Sequence, residues 1–524
     1  MKIVTPEEMG DIEAQSMVQG VSNADLLHNA GIGIADAITA KFGTPSGMNI
    51  LVLIGSGNNG TDGLIVARHL SNSGGNVTAL LFTNRLSDEW INDAVESGVD
   101  VIAISKVDNT REYFRRLVSS THLLIDAILG TGVSRRLSDP FTTYLSYVKE
   151  FVSKEARIVA VDTPTGLDPK TGSVDPHTLI PDVTMALGFP KTGNFTYPGS
   201  VSSGQVKVID IGIPEGIGSE LKTNLMHPEY ICSLIPKRPL DANKGTFGKT
   251  MIVGGSDSYR GAPALAARAA LKVGAGLVTC SAPRSVADSV NQQIPECTLI
   301  PLNEKSYELE DGWLSARLIL DSMESYSSML VGCGLGLSRQ TRILVDSLLL
   351  SSSNLPPLVV DADALNLLSG FSGWWERLQE NAVLTPHPGE MSKLTGLSTA
   401  SIQSDRLEIS RTYAQKWHKI VVLKGANTII STPNGTSWVN DASNPAMASA
   451  GTGDVLAGTI AGFIAQGMTL EDASVLGVYL HSVSGQIVSE RNGYPSALAT
   501  EIASELSQSL GFIKNTQSDK FWHS

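Results

Sequence analysis

The 524-residue sequence lacks the marks of several protein classes. Its only cysteines are Cys232, Cys280, Cys297 and Cys333, with no CxxC pair and no Cys/His cluster at zinc spacing. A disulfide framework and a structural zinc site are therefore excluded, and a reducing compartment is expected. Basic charge is scarce: 39 Lys and Arg stand against 52 Asp and Glu, a formal net charge of −13. That balance argues against a surface for nucleic acid. Apolar runs break well before the roughly 18 residues that a membrane span needs. Glu7, Glu8, Asp11 and Glu13 lie where a signal peptide would carry a basic start and an apolar run. There is no tandem repeat and no low-complexity tract. These absences predict a cytoplasmic protein whose partners are small molecules, without nucleic acid or membrane.

What is present is α/β patterning over a length that calls for two domains. In the first half, apolar runs at 50–54, 77–82, 101–104, 123–125, 158–161 and 206–211 read as buried strands, with helical pattern at 63–71 and 88–96. Runs of Val, Ile and Leu without polar alternation suit a sheet covered on both faces. Strand–helix alternation predicts a parallel, doubly wound, Rossmann-like sheet, which binds ligands beyond the carboxyl ends of its strands. A joint is expected at 216–229, between domains at 1–215 and 230–512. The second half restarts with a strand at 248–253 and an Ala-rich helix at 262–273. Further strands are expected at 329–331, 358–360, 383–385 and 420–423, and a helix after Gly453. The tail beyond Gly511 is polar and reads as loosely held.

Three strand ends in the first half carry polar motifs. The first runs Gly55-Ser56-Gly57-Asn58-Asn59-Gly60-Thr61-Asp62-Gly63, with a helix following. Glycines here permit positive φ and close approach to a phosphate, and the helix N-terminus favours negative charge. An ordinary turn needs glycines too, but not two asparagines and an aspartate beside them. The second end is Asp126, followed by Gly130-Thr131-Gly132-Val133-Ser134-Arg135-Arg136. The third is Asp162-Thr163-Pro164-Thr165-Gly166. Either aspartate alone could be a helix cap. In a parallel sheet these ends converge, so Asn59, Asp126, Asp162 and Thr165 could share a site whose hard oxygens suit an alkali or alkaline-earth cation.

These motifs, over about residues 1–215, resemble the NAD(P)H-hydrate epimerase family, which interconverts the R and S hydrates of NAD(P)H. The resemblance implies that Asn58, Asn59, Gly60, Thr61 and Asp62 contact the hydrated nucleotide, as do Gly130, Thr131, Gly132, Val133, Ser134, Arg135 and Arg136. It implies a potassium ion on Asn59, Asp126 and Thr165, and Asp162 against the nicotinamide-derived ring. Thr61 stands where the family usually has glycine, so a positive φ there would strain the loop. Epimerising a carbinolamine carbon needs proton movement, for which Asp162 is the candidate shuttle.

The second half carries Asn444-Pro445-Ala446-Met447-Ala448-Ser449-Ala450-Gly451-Thr452-Gly453-Asp454 before a helical run. The Gly451-Thr452-Gly453 turn would present backbone N–H groups to phosphoryl oxygens, and Asp454 could take a proton from a hydroxyl attacking phosphorus. Upstream strand ends add Lys424-Gly425-Ala426-Asn427-Thr428, Pro386-His387-Pro388-Gly389-Glu390 and Asp361-Ala362-Asp363. His387 could be a satisfied structural histidine, although two prolines fix its backbone. Gly254-Gly255-Ser256, Gly261-Ala262-Pro263 and Gly332-Cys333-Gly334-Leu335-Gly336 are further small-residue turns.

Over about residues 230–512 this set resembles the ADP-dependent NAD(P)H-hydrate dehydratases, similar in fold to ribokinases. The resemblance implies that Lys424, Gly425, Ala426, Asn427, Thr428 and Gly453 hold the adenine nucleotide, while Ala262, Gly334, His387 and Asp454 contact the hydrate. Cys333 replaces a proline usual in its turn. ADP is the implied co-substrate, with magnesium as helper and Asp454 as catalytic base, and a homo-oligomer is implied. Both families occur fused in this order, in which the epimerase supplies the S hydrate to the dehydratase. The alternative is a kinase for a small, vitamin-precursor-like alcohol behind a non-catalytic binding module.

Overall fold

A computed structural model describes residues 1–83, 89–107, 110–131, 136–305, 308–493 and 496–515. The chain divides into two compact units, one of Lys2–Thr223 and one of Met1 with Asn224–Ser524. None of the described helices is long and apolar enough to cross a membrane, and all four cysteines are free thiols.

The first unit is built on seven strands: β1 (Asn49–Ile54), β2 (Asn76–Leu81), β3 (Asp100–Ala103), β4 (Leu123–Ala127), β5 (Arg157–Val161), β6 (Val183–Leu187) and β7 (Gln205–Ile209). Their order is β3-β2-β1-β4-β5-β6-β7, and every pair is parallel. Along β1, Ile50, Val52 and Ile54 enter one apolar core while Leu51 and Leu53 enter another on the opposite face. This two-sided burial is what the unbroken apolar runs predict. Strand order reverses between β1 and β4, and in such sheets the crevice at that point takes the ligand. Strand β6 escapes the apolar-run reading because Thr184 interrupts it. That hydroxyl is buried and donates to the Ser203 carbonyl at 2.6 Å.

The second unit holds β8 (Thr223–Leu225), β9 (Lys249–Val253), β10 (Leu277–Pro283), β11 (Thr298–Leu302), a separate hairpin of β12 (Glu304–Lys305) and β13 (Glu308–Leu309), then β14 (Ser328–Val331), β15 (Leu358–Val360), β16 (Ala382–Leu384), β17 (Ile420–Leu423), β18 (Ile429–Ser431) and β19 (Ser437–Val439). The main sheet has ten strands in the order β11-β10-β9-β14-β15-β16-β17-β18-β19-β8. It is parallel from β11 to β17 and antiparallel from β17 through β19. The stretch 216–229, expected as a joint, contains β8 and the start of the helix Pro228–Leu234. The helix Ala499–Asn515 runs past Gly511 and buries Ile513, so the expected loose tail is helical to that point.

Helix Ala262–Lys272 lies tight against helix Thr452–Ala465. Its Ala266, Ala267, Ala269 and Ala270 are fully buried. A Cβ on Gly458 would fall 2.2 Å from the Ala266 carbonyl oxygen, and one on Gly462 2.8 Å from Ala270 Cα. Small residues on both helices thus set the distance between them. Gly458→Ala is expected to destabilise the protein by about 1–3 kcal/mol through overpacking against backbone. Gly511, where an added methyl would meet nothing within 4 Å, provides the contrast: Gly511→Ala should stabilise by about 0.5–1 kcal/mol. Denaturant unfolding of both variants checks the pair.

Candidate active sites

In the first unit, three strand ends meet beside the point where strand order reverses. Backbone packing brings them together: the Gly55 N–H donates to the Ala127 carbonyl at 3.1 Å, and a Cβ on Gly55 would fall 1.8 Å from the Ile128 carbonyl oxygen. Gly57 has φ −92° and caps the helix Asn58–Asn72. Gly55 therefore serves close approach, and positive φ is not what this turn demands. Thr61 lies in the same helix with its N–H on the Gly57 carbonyl, so replacing the usual glycine brings no strain.

Asp126 ends β4 fully buried. Its carboxylate accepts from the Thr165 hydroxyl at 2.6 Å, the Thr165 N–H at 2.9 Å and the Ile128 N–H at 3.3 Å. Burial still raises its pKa, with these hydrogen bonds opposing. Asn59 is buried next to Gly130, whose Cβ would fall 3.1 Å from the Asn59 amide, and Asn59 Nδ2 has no hydrogen-bond partner. Asp162 ends β5 with φ +62°, a conformation costly for a non-glycine residue. It is held there by the Leu187 N–H at 3.1 Å and by an ion pair with the buried Lys191 ammonium. Asp62 is buried nearby with Oδ1 unpartnered. Arg136 is described, but Gly132, Val133, Ser134 and Arg135 lie outside the described residues.

In the second unit the strand ends of β14, β15, β16 and β17 meet the start of the helix Thr452–Ala465. Gly451 has φ +88°, and the first N–H to find a helical acceptor is that of Val455, on the Gly451 carbonyl at 3.1 Å. The preceding amides face the site free for an anion. Ligand atoms of Asp454, Asp361 and Cys333 lie within 4.8 Å of one another. Burial, and then the Asp361 charge, raise Asp454 to about 7. Lys424 reaches in from β17 and donates to Asp361 Oδ1 at 2.6 Å, where the Thr385 hydroxyl also donates at 2.8 Å. Lys424 Nζ is 4.0 Å from Glu390, whose carboxyl burial raises to about 7 against the pull of Lys424. Burial opposes the Lys424 ammonium, but Asp361 and Glu390 outweigh it and its pKa is raised.

His387 stands at the start of a helix. Its Nδ1 accepts from the Gly389 and Glu390 N–H groups at 3.0 and 3.3 Å, capping the helix Pro388–Thr395, while the ring stays half exposed. Burial and Lys424 lower its pKa, so the neutral imidazole caps the helix, with Nε2 3.4 Å from Glu390 Oε1. Gly334 has φ +62°, and a Cβ added there would fall 2.9 Å from Ala262 Cβ. Beside this contact opens a cavity of about 550 Å³ lined by Ser256, Tyr259, Gly336 and Asp363 among others. The Gly255 N–H donates to the Cys333 carbonyl at 2.8 Å, which fixes the turn where proline is missing.

Two family profiles match the chain. One, described as YjeF-related protein N-terminus, covers residues 23–193, and the other, described as NAD(P)H-hydrate dehydratase, covers residues 250–508. The bifunctional NAD(P)H-hydrate repair enzyme Nnr of Thermofilum pendens is 34% identical over 523 residues, spanning 98% of this chain and 97% of that protein. This chain belongs to the bifunctional NAD(P)H-hydrate repair enzyme family. The Moorella thermoacetica member is also 34% identical, over 96% of this chain and 95% of its own length. A solved ADP/ATP-dependent NAD(P)H-hydrate dehydratase from Bacillus subtilis, co-crystallized with ATP/Mg2+, is 28% identical over 55% of this chain and 98% of that one, with a TM-score of 0.49.

Within this repair-enzyme family member, the structure gathers Asn59, Asp62, Asp126, Asp162 and Thr165 in one site. It gathers His387, Lys424, Gly453 and Asp454 in the other. Lys424 turns toward Asp361 and the Asp454 carboxylate, whereas Gly425, Ala426, Asn427 and Thr428 form the turn beyond it, with Asn427 at φ +51°. Sequence reasoning missed Lys191, Glu13 and Arg406, and gave Asp361 and Glu390 no role although it met both at strand ends. Arg406 is buried under the Lys424 turn and donates to the Leu423 and Lys424 carbonyls at 2.9 and 3.2 Å. Removing Lys424 as Lys424→Ala leaves the Asp361 carboxylate buried and uncompensated. A loss of about 3 kcal/mol or more in unfolding free energy is expected. Asp361→Asn added to Lys424→Ala should recover part of it, as read in a double-mutant cycle of denaturant midpoints.

Proposed function

We propose that this chain repairs damaged nicotinamide cofactors with two activities. The first unit, with 1–215 as its functional span, epimerises the R and S hydrates of NADH and NADPH. The second, over 230–512, dehydrates the S hydrate at the expense of ADP, giving NADH or NADPH, AMP and phosphate. The observation that carries this reading is the Asp454 carboxylate set beside open amides at a helix N-terminus, in a chain that also holds the buried Asp162 site. A small-alcohol kinase would have no use for the second of these.

Hydroxide is a poor leaving group. Asp454 removes the proton of the substrate hydroxyl as that oxygen takes the β-phosphoryl group of ADP, releasing AMP. Phosphate then leaves with the C–O electrons, pushed out by the ring nitrogen lone pair, and the adjacent ring carbon gives up a proton to solvent as the ring double bond forms. The amides of Thr452, Gly453 and Asp454 stabilise the transferring phosphoryl oxygens, while Lys424 offsets charge on Asp361 and the phosphates. Asp361 would supply a hard oxygen to magnesium, which would neutralise charge on the transferring phosphoryl group and leave Asp454 as the base. In the first unit the buried Asp126 carboxylate, the Asn59 carboxamide oxygen and the Thr165 hydroxyl oxygen would supply hard oxygens suited to a singly charged cation. Potassium bound there would offset the charge of the hydrate's phosphates.

Because Asp454 must be ionised to act as base, dehydration of pure S hydrate should fall as pH drops through about 7. Asp454→Asn should abolish it while ADP binding persists. Recovery of reduced-nicotinamide absorbance across pH, with calorimetry for ADP, checks both; wild-type turnover in the variant would remove Asp454 from the role. In the other unit, Asp126→Ala should weaken potassium-dependent epimerisation while dehydration continues. Equal exchange rates in potassium, sodium and magnesium salts at constant ionic strength would refute the cation assignment.

A further inference from the structure

Four ionisable side chains meet at the carboxyl edge of the first sheet, and the epimerase reading so far gives a proton-transfer role to one of them, Asp162. Asp62 comes from the helix after β1, Asp162 from the end of β5, Lys191 from the turn after β6 and Glu13 from the helix Pro6–Val18. Lys191 donates to Asp162 and, at 3.1 Å, to the Leu187 carbonyl, so Asp162 sits in the site as an ion-paired carboxylate. Asp62 has no cation of its own. It is 3% exposed, and its Oδ1 accepts no hydrogen bond. Burial and the facing carboxylates of Asp162 and Glu13 push its carboxyl well above the usual range, against Lys191. Burial also raises Glu13, with Lys191 opposing and Asp162 adding. Three carboxyls around one ammonium cannot all be ionised at low cost in a buried site. The proton they keep falls to Asp62, which has no ion-pair partner among the described residues and is more deeply buried than Glu13.

We infer that Asp62 and Asp162 share one proton across the reacting carbon of the hydrated nicotinamide, Asp62 giving it to the departing hydroxyl and Asp162, positioned by Lys191, taking one from the incoming water. This deepens the epimerase reading and rests on it. The C–O bond breaks with its electrons going to oxygen, which leaves as water with the Asp62 proton. The ring nitrogen lone pair forms the C=N bond of an iminium. Water then adds to that carbon from the other face, the C=N electrons return to nitrogen, and the extra proton passes to Asp162. The enzyme is left with Asp62 ionised and Asp162 protonated, which is the form that runs the reverse conversion. A buried carboxyl that holds its proton, set opposite a carboxylate already paired with a lysine, is what such chemistry needs.

The test follows R/S exchange by the whole protein in water enriched in oxygen-18, with the hydrate Kd measured separately. Wild type should incorporate solvent oxygen with each inversion, above the enzyme-free rate. Its exchange should decline on the alkaline side as the shared proton is lost. Asp62→Asn should lower kcat by about 100-fold or more at every pH while still binding hydrate, and its residual rate should lose the alkaline decline. Retained binding shows that the variant is folded. A variant with unchanged kcat and weakened binding would make Asp62 a substrate contact only and overturn the proposal. So would inversion without oxygen exchange, which signals ring opening at the C–N bond. Wild-type protein with no exchange activity would instead refute the epimerase reading itself.

Discussion

A carboxylate buried at the end of a parallel strand has to be matched, and both sites of this protein are organised by how that is done. Asp162 and Asp361 are each answered by a lysine arriving from a different strand end, Lys191 and Lys424. Asp126 is answered by donors from the Thr165 turn. Asp62 and Asp454 are matched only in part and hold raised pKa values. Taking a charge out of water costs several kcal/mol unless it is paired. The incompletely matched carboxyls are therefore the ones whose hold on a proton is raised, Asp454 to about 7.

Apolar packing makes those arrangements rigid. The sheet of each unit is covered on both faces, so its strand ends cannot drift apart without opening two cores. In the second unit, the glycines and alanines between helices Ala262–Lys272 and Thr452–Ala465 bring two backbones into direct contact. The helix start that carries Gly453 and Asp454 is thereby fixed, while Gly334 and Ala262 leave room beside the 550 Å³ cavity.

Most of the fold was legible because its strands are buried on both faces and read as unbroken apolar runs. Strands that break that pattern were not: β6 contains Thr184, which donates to the Ser203 carbonyl, and β10 runs through Thr279, Cys280 and Ser281, where Thr279 pairs with Thr298 on the next strand. The helix beyond Gly511 was missed because a single apolar residue, Ile513, anchors it. Glycine was read for φ in the turn after β1, where its lack of a side chain is what counts.

The sequence by itself determined the α/β class, the strand-end motifs and the family, because these are set by local patterning and short strings such as Asn58-Asn59-Gly60-Thr61-Asp62 and Gly451-Thr452-Gly453-Asp454. Only tertiary structure decided which charges face one another. Lys191 and Asp162 are 29 residues apart and Lys424 and Asp361 are 63 apart, and nothing near Lys191 in the sequence marks it as more than a lysine after a proline. Proton affinity depends on burial and on neighbours across strand ends. The raised proton affinities of Asp62 and Asp454, and the pairing of Asp162 with Lys191, therefore emerge only once the sheets bring those ends together.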